Sequence, residues 1–254
     1  MRITFLGTGT SHGVPMIGCD CATCRSSDPR DARLRPSIFV ETDATRILVD
    51  TGPDLRAQAL RHDIRRVDAI LFTHGHADHI LGLDDVRRFN AMMKRTMIGY
   101  GDAQTLHEVR KTFHYVFDPN SPKGGGLPEI ELREMTERTR IGDLDVQRIP
   151  LWHGSRPILG FRFGACAYLT DCNRLDDAAW PLLEGLDVVI IDALRMRSHP
   201  THFSLDEAVA VASRLRAGRT FFTHMCHDLA HEATNARLPQ GMALAYDGLV
   251  LDVP

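Results

Sequence analysis

The stretch "LFTHGHADHI", Leu71 to Ile80, closes an apolar run and places three histidines and an aspartate within six residues. The residues just before it, "DAIL", read as a buried β-strand that carries the cluster inward. Neutral imidazole is costly to bury without a partner. The stretch therefore predicts that these side chains are satisfied by another group inside the fold.

Composition limits what kind of protein this is. The chain has 254 residues, 43% hydrophobic and 25% charged, which predicts one folded domain over residues 1–254 without disorder. A net charge of −3 does not favour a broad basic surface for nucleic acid or anionic membrane. The N-terminal apolar stretch is too short for a signal peptide and no run reaches the length of a membrane span, so we expect a cytoplasmic protein.

Strand-like and helical patterns alternate along the chain, which indicates the α/β class. The segment "SIFVETDATRILVD" reads as an antiparallel hairpin, and this favours two mixed β-sheets with helices outside over a strictly parallel fold. The tripeptide Phe-Thr-His ends an apolar strand twice, at 72–74 and at 222–224. This repetition suggests two similar halves that meet at one cleft.

Two helices and one long loop complete this prediction. Apolar residues at spacings of three and four predict one amphipathic helix after the cluster, carrying Ile80, Leu83, Val86, Phe89 and Met93. A second helix begins at Ser204, where "SLDE" has the form of a capping box. The Pro- and Gly-rich residues 118–129 read as a loop over a site.

The histidine cluster has the residue types of a metal site. Residues two apart after a strand project to one side, so His74 and His76 can bind one ion while Asp78 and His79 point towards a second. Further ligands must come from elsewhere. Candidates stand where later apolar runs stop: His153, Asp171 and His224.

This ordered set resembles the metallo-β-lactamase superfamily over essentially the whole chain. The resemblance implies an αββα sandwich with a two-metal site at one edge. It implies that one metal is held by His74, His76 and His153, the other by Asp78, His79 and His224, with Asp171 bridging them. Asp50 matches an aspartate that supports the site, although it also reads as a turn residue before Gly52. The donors suit zinc, manganese or iron, and we expect two divalent ions, zinc or manganese.

Three cysteines, Cys19, Cys21 and Cys24, form a second potential metal site. Tetrahedral zinc needs one more ligand, and spacing alone leaves four candidates open: His12, Asp20, Cys226 and His227. The arrangement resembles the phosphoribosyl cyclic phosphodiesterase (PhnP-type) branch of the superfamily, which implies His227 and one structural zinc. The alternative is three free cytosolic thiols.

The same branch implies a reaction. We expect hydrolysis of a small cyclic phosphodiester, phosphoribosyl 1,2-cyclic phosphate or a nucleoside 2′,3′-cyclic phosphate, by a hydroxide that bridges the two metals. His202 and Asp78 are the expected catalytic residues, and His202 matches a histidine that contacts phosphate or protonates the leaving oxygen. The other reading of His202 is a surface histidine before the helix at Ser204. Arg195 and Arg197 are left out of the site.

The alternative function is an RNA-processing nuclease of the tRNA 3′-end type. The tetrapeptide "HEAT" at 231–234 matches one that those enzymes carry, but it stands at the wrong place in the chain. As partners we expect a small-molecule phosphodiester, no membrane, and no nucleic acid other than a small cyclic nucleotide. A homodimer is left open.

Overall fold

The computed structural model describes residues 1–122 and 126–254. Two mixed β-sheets pack face to face, and helices cover both outer faces, so the predicted α/β sandwich is confirmed. The first sheet has the order β15-β1-β2-β3-β4-β5-β6. Its strands are β1 (Arg2–Gly7), β2 (Ser37–Glu41), β3 (Arg46–Val49), β4 (Ala69–Leu71), β5 (Met97–Gly101), β6 (Ile130–Glu134) and β15 (Val250–Asp252).

The second sheet has the order β11-β8-β9-β10-β12-β13-β14, with β7 paired to β8. Its strands are β7 (Arg138–Ile141), β8 (Leu144–His153), β9 (Arg156–Phe163), β10 (Cys166–Leu169), β11 (Arg174–Leu175), β12 (Val188–Asp192), β13 (Arg219–Thr223) and β14 (Met242–Leu244). The pairs β8–β9 and β9–β10 are antiparallel, whereas β10, β12, β13 and β14 run parallel.

The helices lie on the two outer faces. They are α1 (Leu55–Arg61), α2 (Ala77–Ile80), α3 (Val86–Met93), α4 (Ala103–Thr112), α5 (His114–Phe117), α6 (Ala179–Leu182), α7 (Leu205–Leu215) and α8 (His231–Asn235), with 3₁₀ turns at Pro29–Asp31 and Leu83–Asp85. Of the helices in the described part of the chain, none is both long and apolar enough to cross a membrane.

Side-chain alternation in the central strands builds the layers. In β12, Val188 and Ile190 point into the core between the sheets, while Val189 and Ile191 point into the core beneath α7. A strand buried on both faces needs apolar residues at every position, which is why this segment reads as a continuous apolar run. The polar residues of the predicted site lie at the edge of the sandwich where these strands end.

Two local predictions are confirmed. The segment 37–49 is an antiparallel hairpin in which Ile38 pairs with Val49. Ser204 caps α7, because its side chain accepts from the Glu207 amide while the Glu207 carboxylate accepts from the Ser204 amide. The predicted loop 118–129 joins α5 to β6, and its residues 123–125 lie outside the described residues.

The single helix predicted after the histidine cluster is wrong. The chain forms α2, a 3₁₀ turn and α3 instead, although the apolar residues of the pattern still face one core. The break lies at Gly82, whose amide donates to the Thr51 carbonyl at 2.8 Å. A Cβ at this position would lie 2.0 Å from the Gly52 carbonyl oxygen. The packing of this turn against residues 51–52 therefore overrides helical periodicity.

Candidate metal centre

The predicted ligands stand at the ends of strands from both sheets. His74 follows β4 in the first sheet and His224 follows β13 in the second, so the two Phe-Thr-His tripeptides meet at one edge of the sandwich. Asp171 lies two residues beyond β10, and His153 is the last residue of β8. The fold thus brings together side chains that are up to 150 positions apart in the sequence.

Asp171 lies at the centre of the cluster. Its Oδ2 is 3.0 Å from His79 Nε2, and its Oδ1 is 3.1 Å from His224 Nε2 and 3.9 Å from His74 Nε2. Donor atoms of Asp78, His79, Asp171 and His224 all lie within 4.8 Å of one another. This is the grouping that the resemblance implied for the second metal.

The other grouping is formed by three imidazoles. The ring centroids of His74 and His76 are 4.5 Å apart, those of His76 and His153 are 5.0 Å apart, and those of His74 and His153 are 5.6 Å apart. His74 is fully buried, whereas His76 and His153 are partly exposed. Asp171 Oδ1 lies 3.9 Å from His74 Nε2, so this carboxylate stands between the two groupings.

Three site residues have left-handed backbones. Asp50, Asp171 and His224 have φ values of 64°, 58° and 61°, and each follows a buried strand. A non-glycine residue in this region costs about 1–2 kcal/mol. Such strain persists where surrounding packing imposes it, and it is concentrated at functional sites. At each of these three positions the chain turns at the site, just after the strand ends.

Hydrogen bonds behind the cluster fix the orientation of the imidazoles. Asp50 is fully buried and lies 2.7 Å from His79 Nδ1, and it accepts from the Thr73 amide and hydroxyl at 2.8 Å. The Thr73 oxygen can then accept from His74 Nδ1 at 3.0 Å, while His153 Nδ1 donates to the Asp171 carbonyl at 2.7 Å. With Nδ1 engaged as a donor, each ring presents the lone pair of Nε2 to the site. Asp50 is thus placed as a supporting residue and not only as a turn former.

Burial and charge shift the pKa values of the metal-free cluster strongly. Burial opposes ionisation of Asp171, but the neighbouring His224 and His79 hold the pKa of its carboxyl well below the ordinary value. Burial likewise opposes charge on His224, yet Asp171 and Asp78 raise its pKa to about 10. For His153, burial is the main cause and lowers the pKa to about 4. Without metal, protonated His79 and His224 therefore balance the negative charge of the carboxylates, as a bound cation would.

The residues present fit divalent metal ions. Within the described residues, the Nε2 atoms of His74, His79 and His224 are buried without a hydrogen-bond partner. His79 and His224 approach Asp171 closely, but their rings are not directed for a hydrogen bond, so the nitrogens remain unsatisfied. Buried polar atoms are normally paired. Imidazole and carboxylate donors that converge in this way satisfy a divalent ion such as zinc or manganese.

His202 lies beside the ligands and is nine-tenths buried, which argues against a surface histidine. Its ring is 4.7 Å from that of His153 and stacks at 4.8 Å on that of His224. Its Nδ1 is 3.2 Å from Oδ2 of Asp192, the last residue of β12. Asp192 was not among the candidates predicted from the sequence, although an aspartate that ends an apolar run is the same signal that identified Asp171.

The thiols form a separate cluster with His227. His227 Nδ1 lies 3.2 Å from Cys19 Sγ, 3.6 Å from Cys21 Sγ and 3.4 Å from Cys24 Sγ. Tetrahedral zinc with ordinary bond lengths would separate sulfur and nitrogen by about 3.6 Å. Of the other candidates for the fourth ligand, Asp20 pairs with Arg25 and Cys226 Sγ accepts from the Asp228 amide. The cluster therefore has the composition and the spacing of a closed zinc site.

Comparison with known proteins identifies the family. The family described as "Beta-lactamase superfamily domain" matches residues 45–225. A solved structure described as a new diphosphatase from the PhnP family is 45% identical, with a TM-score of 0.93, over 100% of this chain and 98% of its own.

Two relatives have names of different classes. A Porphyromonas gingivalis protein named octanoyltransferase is 37% identical over 98% of this chain, and a Bradyrhizobium diazoefficiens protein named ribonuclease Z is 37% identical over 63% of it. The chain spans only 51% and 49% of the length of these two proteins. The family match and the structural similarity agree with each other: this chain belongs to the β-lactamase superfamily and, within it, is a hydrolase of the PhnP family.

Proposed function

We propose that this protein is a metal-dependent phosphodiesterase that hydrolyses a small cyclic phosphodiester, a phosphoribosyl 1,2-cyclic phosphate or a nucleoside 2′,3′-cyclic phosphate. The observation that carries the proposal is the position of His202, a proton donor of suitable chemistry beside the candidate metal centre. A ring nitrogen of His202 lies within 4.8 Å of donor atoms of both His153 and Asp171. The relative described as a diphosphatase also supports phosphate chemistry over acyl chemistry.

Different residues of the chain would bind the two metal ions and orient their ligands. His74, His76 and His153 would hold one divalent ion, Asp78, His79 and His224 the other, and Asp171 both. Zinc or manganese bound there would supply a Lewis acid and make water nucleophilic at neutral pH. Asp50 and Thr73 hold the Nδ1 atoms of His74 and His79, which leaves Nε2 of both rings directed towards the site.

His202 is the proposed general acid. Because the Asp192 carboxylate lies against Nδ1 at 3.2 Å, Nε2 is the atom free to give a proton to the leaving sugar oxygen. The same Asp192 oxygen accepts from the Phe203 amide at 3.2 Å, which fixes the carboxylate relative to the loop. Departure of a sugar alkoxide without such a proton is slow, so His202 is expected to contribute most with poor leaving groups.

Cys19, Cys21, Cys24 and His227 are proposed to hold one structural zinc. This ion would join the N-terminal loop to the segment after His224 and so stabilise one wall of the catalytic cleft. We further propose that residues 1–254 act as one catalytic domain on a small-molecule substrate, without a membrane or a polymeric nucleic acid as partner.

The test is turnover of three substrates by protein loaded with zinc or manganese: a ribonucleoside 2′,3′-cyclic phosphate, a structured precursor tRNA, and an acyl thioester. We expect a phosphomonoester product from the cyclic phosphate, and no cleavage of the other two. His76→Ala and Asp171→Ala should abolish turnover. His107→Ala, which alters an exposed histidine of α4, is the matched control and should retain it.

Each outcome is decisive. Cleavage of the precursor tRNA in preference to the cyclic phosphate would establish the alternative, an RNA-processing nuclease. Full activity of Asp171→Ala would contradict the two-metal arrangement. Turnover of the thioester alone would contradict the proposed phosphodiesterase activity.

A further inference from the structure

His76 is the least supported ligand of the candidate metal centre. The rings of His74, His79 and His153 each have a hydrogen-bond partner at Nδ1. Within the described residues, neither ring nitrogen of His76 has such a partner, and its side chain is partly exposed. The position of this imidazole therefore depends on how firmly the backbone of the loop 74–77 is held.

The loop is held from outside at Gly75. Glu108 of α4 lies directly against this residue, since a Cβ on Gly75 would meet Glu108 Oε2 at 2.0 Å and the Glu108 Cβ at 2.9 Å. Gly75 does not have a left-handed backbone, so it is this contact, and not the turn, that requires a residue without a side chain. The glycine between the two histidines thus allows α4 to pack on the backbone that carries them.

Glu108 is held over the loop by an ion pair with Arg156. Arg156 Nη2 donates to Glu108 Oε2, and Gln104 Nε2 donates to the other carboxylate oxygen at 3.3 Å. The Arg156 and Glu108 side chains are only 20% and 28% exposed. Solvent ions screen such a pair less than a surface pair, and removal of one partner leaves a partly buried charge. The pair therefore fixes the carboxylate against Gly75.

The ion pair joins the two halves of the sandwich. α4 packs on the first sheet, whereas Arg156 is the first residue of β9 in the second. Arg156 lies opposite His153 in the β8–β9 register, and the His153 ring is 5.0 Å from that of His76. The Leu159 amide of β9 donates to the Thr73 carbonyl at 3.0 Å. α4 and β9 therefore hold the histidine loop between them, on the side where His76 and His153 meet.

We propose that Glu108 and Arg156 are positioning residues for the metal ion that the three imidazoles would hold, called here the three-histidine ion. Their ion pair fixes the backbone at Gly75 and so keeps His76 in place, the ligand that no hydrogen bond orients. The proposal rests on the proposed function, in which this histidine and two others bind one ion. Loss of the pair should weaken binding of the three-histidine ion and spare the other ion of the cluster.

The test is the zinc bound per chain, measured by elemental analysis after dialysis at a series of buffered free zinc concentrations. The native protein should bind three ions, one at the thiols and two in the cluster, and His76→Ala identifies the binding step of the three-histidine ion. In Glu108→Ala and Arg156→Ala this ion should bind about tenfold or more weakly, since loss of a supporting residue outside the ligands lowers metal affinity about 10- to 100-fold. The affinities of the other two ions should change less than about threefold.

The double variant Glu108→Ala/Arg156→Ala distinguishes a pair from two separate contributions. If the two residues act only through each other, the double variant should lose about as much zinc affinity as either single variant. The matched control is the surface pair of Glu131 and Arg133 on β6, whose side chains are 55% and 46% exposed. Glu131→Ala and Arg133→Ala should leave the affinities of all three ions unchanged within about twofold.

Gly75→Ala tests the same contact without removing a charge. Its Cβ would displace the Glu108 carboxylate, so the three-histidine ion should bind about tenfold more weakly in this variant as well. Circular dichroism checks that each variant is folded. If Arg156→Ala does not fold, Glu108→Ala and Gly75→Ala decide the proposal.

Native zinc affinity in Glu108→Ala and Gly75→Ala would overturn the proposal. So would an equal loss at all three ions, which indicates general destabilisation, or an additive loss in the double variant, which indicates that the residues do not act as a pair. Each of these results leaves the proposed function intact if the native protein binds two ions in the cluster. If the native protein binds zinc only at the thiols, the proposed two-metal function fails, and the positioning role fails with it.

Discussion

Replacing Asp192 with asparagine should slow hydrolysis selectively for substrates with poor leaving groups. The Asp192 carboxylate is fully buried, and its Oδ2 lies 3.2 Å from His202 Nδ1. The amide of asparagine has no charge with which to stabilise a protonated imidazole, and its NH₂ group can face the ring. Asp192 is a positioning residue, because it acts through His202 and does not touch the substrate.

The size of the effect follows from this one contact. A hydrogen bond between charged partners contributes about 1.5–3 kcal/mol. At about 1.4 kcal/mol for each factor of ten in rate, kcat/KM for a cyclic ribose phosphate should fall about 10- to 150-fold. A p-nitrophenyl phosphodiester has a leaving group that needs no proton, so its hydrolysis should fall less than about threefold.

The assay is steady-state hydrolysis of both substrates, with metal content measured on the same samples. The second measurement is needed because Asp192 Oδ1 lies 3.6 Å from His224 Nδ1, and loss of metal would slow both reactions. Asp192→Asn with full metal content and an equal loss on both substrates would refute the reasoning. So would a variant that hydrolyses the cyclic phosphate at the native rate.

Three further predictions follow from the site and the fold. Cys21→Ser should lower the zinc content by about one ion per chain, measured by elemental analysis, while Cys226→Ser retains it; equal zinc in both variants would contradict the structural site. In metal-free protein, the pKa of His224 is raised from its ordinary 6.5 to about 10. The contribution of this histidine to the free energy of unfolding is therefore complete below pH 6.5 and is lost as the pH rises towards 10. Urea unfolding across that range should show a falling free energy of unfolding, and a His224→Gln variant with an unchanged slope would contradict this. Gly82→Ala should destabilise the protein by at least about 2 kcal/mol, because its Cβ would meet the Gly52 carbonyl; a change in thermal stability within about 0.5 kcal/mol would contradict the explanation for the broken helix.

Prediction from the sequence was confirmed at the capping box of Ser204, where the local signal is strong. The cluster at 74–79 and the capping box at Ser204 involve neighbouring residues, so their geometry follows from short-range spacing. The prediction of one helix after the cluster was wrong because periodicity reports which residues are apolar, not whether the helical backbone between them is continuous. At Gly82 a contact with a distant turn decided the outcome.

The partner of His202 was not predicted, for a different reason. Asp192 and His202 are ten residues apart, and no sequence spacing indicates that a loop folds back to bring them together. Nor does the sequence show that Arg195 donates to the carbonyls of Arg197 and Ser198 within the same loop.

The sequence by itself determined the α/β class, the donors in "HGHADH" and the thiol cluster, since these depend on residue type and short spacing. Only the tertiary structure decided how His153, Asp171 and His224 meet that loop, because the two sheets must pack before their strand ends share an edge. It also decided that three site residues adopt left-handed backbones, which surrounding packing imposes and local sequence preference disfavours.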